Sequence, residues 1–218
     1  MTSSRRITLC GKVHEDVQHV CAFFDSRDAQ YDVLTPYYKE GLERGERVLT
    51  ILDQAKHDDH KQRLKKAGVP VDELERKGQF QLYASGETYM QGGHFAAERM
   101  LNLLKEALSD ANQRGYGSIR ADGDMEWALQ NMPGTDELLE YETRINLLYP
   151  KHNCTLICSY DITRFSGQAI ADVLASHPHV IMNGRLYRNP DYIEPLKFLQ
   201  QLLHRKKRAL ARDQPLNV

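Results

Sequence analysis

Short apolar runs of strand length alternate with helix-length amphipathic segments along the chain, and this alternation constrains the fold more than any other property of the sequence. Strand, crossover helix and strand in succession build a mainly parallel sheet covered by helices on its faces. The expected core strands are Val17 to Phe24, Arg47 to Leu52, Phe80 to Ala84, Ser118 to Ala121 and Thr155 to Tyr160. Val180 to Met182 and Arg185 to Tyr187 read as a closing hairpin about Asn183-Gly184, a dipeptide suited to a tight turn. Tyr31, Leu34, Tyr38 and Leu42 keep helical spacing, although Thr35-Pro36 reads equally as a cap and first-turn proline that starts the helix there. Further helices are expected over Asp58 to Ala67, His94 to Arg114, Thr135 to Tyr149 and Phe165 to Ser176. The clearest of them lines up Ala97, Leu101, Leu104, Leu108 and Ala111 on one face, with Gly115 as its stop; Leu138, Tyr141, Ile145 and Leu148 point inward from the next. A last helix from Pro195 places Leu196, Leu199, Leu203 and Leu210 on a three-and-four spacing interrupted by Lys206, a short seam that packs on its own domain or on a second subunit.

The turn after the first strand is where an α/β nucleotide hydrolase places a glycine-rich phosphate cradle, and here it reads Asp25-Ser26-Arg27-Asp28. The fold outline of a nucleotide-binding protein is therefore paired with a pocket expected to serve another purpose, and sensing is the first expectation. With 41% hydrophobic and 27% charged residues among 218, the composition is that of a globular protein with one sizeable core. The basic amino terminus lacks the apolar stretch of a secretory signal, and no apolar run would span a bilayer, so a cytoplasmic protein without a membrane partner is expected. A formal net charge of -1 makes a nucleic-acid partner unlikely as an expectation, the basic stretch His204 to Arg208 being a solvated helix end on this reading. Cys10, Cys21, Cys154 and Cys158 form no CxxC and are expected as free thiols.

Seven segments resemble one family in register: HVCAFF, Gly41 to Ile51, Glu87 to Phe95, Gly115 to Leu129, Leu138 to Pro150, Leu156 to Asp161 and Ser176 to Ile181. The family is MEDS, the methanogen/methylotroph DcmR sensory domain, and the similarity covers about residues 15 to 200 in order. The resemblance implies a RecA-like or KaiC-like α/β core without a phosphate-binding loop, acting as a non-catalytic sensory module. Its signal would be a small organic ligand, a hydrocarbon derivative such as a halogenated or one-carbon compound. Relatives carry histidine kinase or DNA-binding regions. Nothing recognisable follows residue 212, so the chain is expected either to work through a partner, a histidine kinase or transcriptional regulator, or to be the sensor piece of a larger system, with a homodimer as a further expectation. Residues 1–194 are expected as the sensory domain and 195–218 as an output helix with a basic tail.

A sensor of this kind needs a mostly apolar cavity with a few orienting polar groups, and open α/β sheets place it at the carboxyl ends of their strands. Phe24, the segment Arg120 to Trp127, and Tyr160 are expected to converge there. Arg120 reads either as a ligand contact or as a buried brace to Glu142; Asp124 lies across a glycine turn from it. Glu142 and Asn146 share a helix face. Met125, Trp127, Tyr141 and Tyr160 are core residues or a soft, polarizable wall. His19 and Cys21 lie on one side of a strand and Cys158 on another, which suits packing, ligand lining, a redox pair or metal binding; their spacing matches no tight metal signature, and no cofactor is expected. His177-Pro178-His179 reads as a helix terminator, and no catalytic constellation is legible. The rival readings are a divergent RecA-like nucleotide-binding protein, a thiol- or metal-dependent redox sensor and, through Arg205 to Arg212, a nucleic-acid module.

Overall fold

A computed structural model describes residues 5–148 and 153–212, with the side chains of 209–212 left aside. Nine strands are present among these residues: β1 (Arg6–Leu9), β2 (Lys12–Glu15), β3 (His19–Phe24), β4 (Arg47–Leu52), β5 (Phe80–Ala84), β6 (Ile119–Asp124), β7 (Cys154–Asp161), β8 (His179–Met182) and β9 (Arg185–Arg188). Seven α-helices accompany them: α1 (Arg27–Glu43), α2 (His57–Lys66), α3 (Val71–Lys77), α4 (Ala97–Gln113), α5 (Leu138–Leu148), α6 (Gly167–Ser176) and α7 (Pro195–Arg212). The main sheet has the order β5-β4-β6-β7-β3-β8-β9, parallel except for the β8–β9 hairpin.

Every residue of β3, β4 and β6 is buried, as expected for strands covered on both faces. Alternate side chains feed two cores. Cys21, Phe23, Ala121 and Cys158 meet α4, α5 and α6, while Val20, Ala22, Phe24 and Ile157 meet α1, α2, α3 and β1. The stripe expected on α4, Ala97, Leu101, Leu104, Leu108 and Ala111, is buried throughout.

Several boundaries differ from the sequence reading for local reasons. The chain after β3 turns directly into α1, because the Ser26 side chain accepts from Ala29 N and caps the helix where a cradle would lie. Pro36 consequently sits inside α1 and does not begin it. The hairpin β1–β2 escaped the periodicity argument; its turn places Cys10 and Gly11 at φ 51° and 71°, and asparagine-glycine chemistry is absent there. Tyr149, the expected end of α5, lies outside the described residues. The expected seam of α7 is also displaced: Pro195 and Phe198 face the domain, while Leu196 and Leu203 are each 59% exposed. The side chain of Leu210 lies outside the described set. The helix packs on α5 and α6, with Arg205 paired to Asp172 and Lys206 to Asp136.

Arg120 does not brace Glu142. Strand parity sends it to the α1 face, opposite to the face of Ala121, and there it is fully buried. Its Nε donates to Glu46 Oε2 at 2.5 Å and its Nη1 to the Tyr37 carbonyl at 2.8 Å, with Glu40 Oε2 at 2.7 Å. Gly41 makes room for it, since a Cβ there would stand 2.6 Å from Arg120 Cδ. Breaking a buried ion pair from one side costs about 3–5 kcal/mol, so Arg120→Ala is expected to lose that much in urea unfolding. A double-mutant cycle of Arg120→Ala with Glu46→Gln should show strong coupling. The same cycle with Glu142→Gln should be additive to within about 0.5 kcal/mol, and coupling there would restore the brace.

Candidate functional site

On the face covered by α5 and α6, four side chains from four elements meet beneath the helices. His19 comes from the start of β3, Cys158 from the middle of β7, Glu142 from α5, and His177 follows the last turn of α6. All four are buried, and one ligating atom of each lies within 4.8 Å of all the others. Glu142 Oε2 is the hub. It stands 3.2 Å from His19 Nε2, 3.4 Å from His177 Nε2 and 3.4 Å from Cys158 Sγ, and Cys158 Sγ is 3.6 Å from His19 Nε2.

The surrounding hydrogen bonds fix which atoms face inward. Asn146 Nδ2 donates to the carbonyls of Ser176 at 2.7 Å and Glu142 at 3.3 Å, so its Oδ1 is the atom presented to His19 Nδ1 at 3.0 Å. An amide oxygen only accepts, which places the His19 proton on Nδ1 and the lone pair of the neutral ring on Nε2. His177 behaves alike: its Nδ1 lies 2.8 Å from the Val173 carbonyl, leaving Nε2 as the inward acceptor. His177 Nε2 meets no hydrogen-bond partner among the described residues. Tyr160 donates its hydroxyl to Glu142 Oε1 at 3.1 Å.

Burial, and then the neighbouring His177, push His19 down to about 4. For Glu142 burial acts upwards, but His177 and His19 outweigh it and hold the carboxyl below the usual carboxylate range. With both rings neutral, a carboxylate oxygen and two imidazole lone pairs converge, with the Cys158 thiol as the one donor among the four; a proton on either Nε2 turns that ring into a donor to Glu142, and it is this charged form that holds the carboxyl down.

The sequence reading selected four of these neighbours, His19, Glu142, Asn146 and Cys158, and added Tyr160; it missed His177, whose place before Pro178 reads as a helix stop. Cys21 stands directly opposite Cys158 in the parallel register on the same face and directs its thiol to the His179 carbonyl at 3.6 Å. Burial, followed by the charge of Glu142, pushes both thiols well above their ordinary range, which makes them poor nucleophiles. Met125, Trp127 and Tyr141 lie beside the cluster in the same core. Trp127 stacks on Tyr89 at 4.9 Å and on Phe95 at 4.6 Å, and Tyr141 meets Phe95 edge-on at 5.6 Å. Tyr160 stands edge-on to His177, with ring centres 6.4 Å apart.

Phe24, Asp124 and Arg120 do not join this group, because parity turns all three towards the α1 face. Phe24 and Asp124 border, with Ser26, Arg27, Glu126, Ser159, Tyr160 and Asp161, a cleft of about 30 Å³ at the strand ends. A second cleft of about 200 Å³ shares Asp124 and Glu126 with it. Lys56 Nζ pairs with Asp124 Oδ2 at 2.7 Å.

The MEDS family profile, described as the methanogen/methylotroph, DcmR sensory domain, matches residues 18–178. The chain is 28% identical over 172 residues to the transcriptional repressor DcmR of Methylorubrum extorquens, covering 73% of this chain and 57% of that one. The chain therefore spans little more than half the length of that curated relative. Among solved structures, a KaiC-like protein of Pyrococcus horikoshii superposes with a TM-score of 0.56 at 13% identity, over 81% of this chain and 80% of that one. The flagellar accessory protein FlaH of Methanocaldococcus jannaschii gives 0.49 at 11% identity, over 86% and 84%. The architecture is KaiC- and RecA-like, and among the described residues no helix is long and apolar enough to cross a membrane.

On the α1 face, Asp122 accepts from Ser159 Oγ at 2.7 Å and from the Tyr38 hydroxyl at 2.9 Å. Burial raises it from 3.8 to about 7 against the pull of those hydroxyls. The folded state therefore holds this proton more tightly than the unfolded chain. Its contribution is complete below 3.8 and lost as pH rises through about 7. Asp122→Asn should match the wild type in stability at acidic pH and gain on it above neutrality, by up to about 4 kcal/mol in urea unfolding followed against pH. A pH-independent difference would contradict the assignment.

Proposed function

Because the chain belongs to the MEDS family of sensory domains, we propose that it is a non-catalytic sensor of a small organic compound and relays occupancy to a transcriptional regulator. The repressor DcmR supports the regulatory setting. The signal class is a hydrocarbon derivative, one-carbon or halogenated, suited to the soft wall of Met125, Trp127 and Tyr141 beside a compact polar group. A histidine kinase is the other partner of this class. The carboxylate-lined cleft where a nucleotide would sit speaks against nucleotide binding.

One observation carries the reading: the polar cluster is built on the same two helices that seat α7. Glu142 and Asn146 belong to α5, His177 closes α6, and α7 packs on both. A ligand that changes how Glu142 and His177 are held changes the seat of Phe198, the fully buried anchor of α7. Leu196 and Leu203, exposed on that helix, then supply the apolar contact for a partner or a second copy. Residues 195–218 are the output element on this account. A ligand moves that element only by binding one of its arrangements better than the other.

In a thermal-shift panel of one-carbon and halogenated compounds, one class should stabilise the full chain, by about 2.7 kcal/mol at a hundred times its Kd. Glu142→Gln should remove the shift. Phe198→Asp should keep the shift and lose the regulatory response of a reporter strain. A Phe198→Asp variant with full response, or a Glu142→Gln variant with an undiminished shift, would contradict the proposal.

A further inference from the structure

We infer that His19 Nε2, His177 Nε2, Glu142 Oε2 and Cys158 Sγ form a closed, four-coordinate site for a divalent transition-metal ion of the zinc class. The inference concerns the chemistry of the cluster, and it rests on the sensory reading only for the consequence that the ion takes part in sensing.

The first ground is acceptor crowding. Two imidazole lone pairs and a carboxylate oxygen point at one another at 3.2 Å and 3.4 Å in a site without solvent exposure. Each ring has its proton committed outwards, to Asn146 Oδ1 and to the Val173 carbonyl. Acceptors so placed repel unless a positive centre, a proton or a metal ion, lies between them, and His177 Nε2 is fully buried with Glu142 Oε2, at 3.4 Å, as its one polar neighbour named among the described residues and no hydrogen bond of good geometry.

The second ground is metric. Tetrahedral zinc, with bonds of about 2.0–2.2 Å to nitrogen and oxygen and about 2.3 Å to sulfur, sets ligand atoms about 3.4 Å apart for nitrogen–oxygen pairs and about 3.6 Å for pairs with sulfur. The nitrogen–oxygen edges are 3.2 Å and 3.4 Å, the sulfur–oxygen edge is 3.4 Å and the sulfur–nitrogen edge is 3.6 Å. The two remaining edges both run to His177 and lie within 4.8 Å, so adjustment of that one ring closes the tetrahedron.

The third ground is the outer shell. Metal-bound histidines characteristically donate their second nitrogen to a carbonyl, carboxylate or water, and metal-bound carboxylates are themselves hydrogen-bonded. Asn146 and Val173 serve the two histidines and Tyr160 serves Glu142. Nitrogen, oxygen and thiolate together in a tetrahedron favour zinc over magnesium or calcium, which take oxygen sets. Ion binding expels the Cys158 proton to solvent. With four protein ligands no coordination position is left for water, which marks the site as structural or regulatory.

The full chain, refolded with one equivalent of Zn2+ or Co2+ per chain and desalted, is expected to retain one ion by mass spectrometry of elements. The Co2+ form should show the intense visible bands of tetrahedral geometry together with a thiolate charge-transfer band in the near ultraviolet. Cys158→Ser should lose the charge-transfer band. His177→Gln should lose the retained ion, and Asn146→Ala, a positioning variant, should weaken Co2+ binding about 10–100-fold. Far-UV circular dichroism of each variant confirms the fold. A native-like chain that retains neither ion, or a folded His177→Gln chain that retains as much as wild type, would overturn the inference. A metal-free chain that still gives the small-molecule thermal shift and reporter response would overturn the role of the ion while leaving the sensory reading intact. A chain that holds one ion at these residues and responds to no compound would leave the site standing and remove the sensory reading.

Discussion

A carboxylate held out of solvent beneath a sheet-covering helix is the constraint around which this molecule is arranged. Glu142 on α5 is fully buried, and three separate elements of the fold turn a polar group towards it. Burying a charge is tolerated only when partners and hydrogen bonds surround it. β3 supplies His19, β7 supplies Cys158 and Tyr160, and the end of α6 supplies His177. These contacts lie on α5 and α6, and α7 rests on both helices, so the proposed output helix is one layer removed from a single buried carboxylate.

The sheet separates two kinds of polar burial. On the α1 face, Arg120 is held between Glu40 and Glu46, an arrangement of opposite charges that suits a permanent brace. On the α5 face the acceptors outnumber the donors, an arrangement that invites a proton, a cation or a ligand. Strand parity alone sorts the residues between the faces. In β6, Arg120, Asp122 and Asp124 alternate with Ala121 and Gly123, and shifting the register by one residue would exchange them.

Much of this was legible in the sequence. The strand runs, the α4 stripe, the Asn183-Gly184 hairpin and the absent phosphate cradle carry their signals within a few residues, where periodicity and turn chemistry operate. The MEDS resemblance gave the KaiC-like architecture. The site was legible in pieces: His19, Glu142, Asn146 and Cys158 each stood out, but what unites them is a distance across four elements, which spacing along the chain does not encode. His177 was hidden because a histidine before proline at a helix end explains itself locally. Arg120 was placed with the wrong carboxylate for a related reason. Its nearest acids in space come from α1 and the turn just before β4, and parity along β6, rather than adjacency to α5, decides which side it faces.

Coupling of the buried cluster to α7 is best tested by hydrogen–deuterium exchange of the full chain, comparing wild type with Glu142→Gln. The account predicts that removing the hub charge changes amide protection in α5, α6 and α7 together, while α1 to α3 on the opposite face keep theirs. Unaltered protection of α7 in a variant whose α5 has loosened would contradict it, because the cluster would then be isolated from the helix it is held to control.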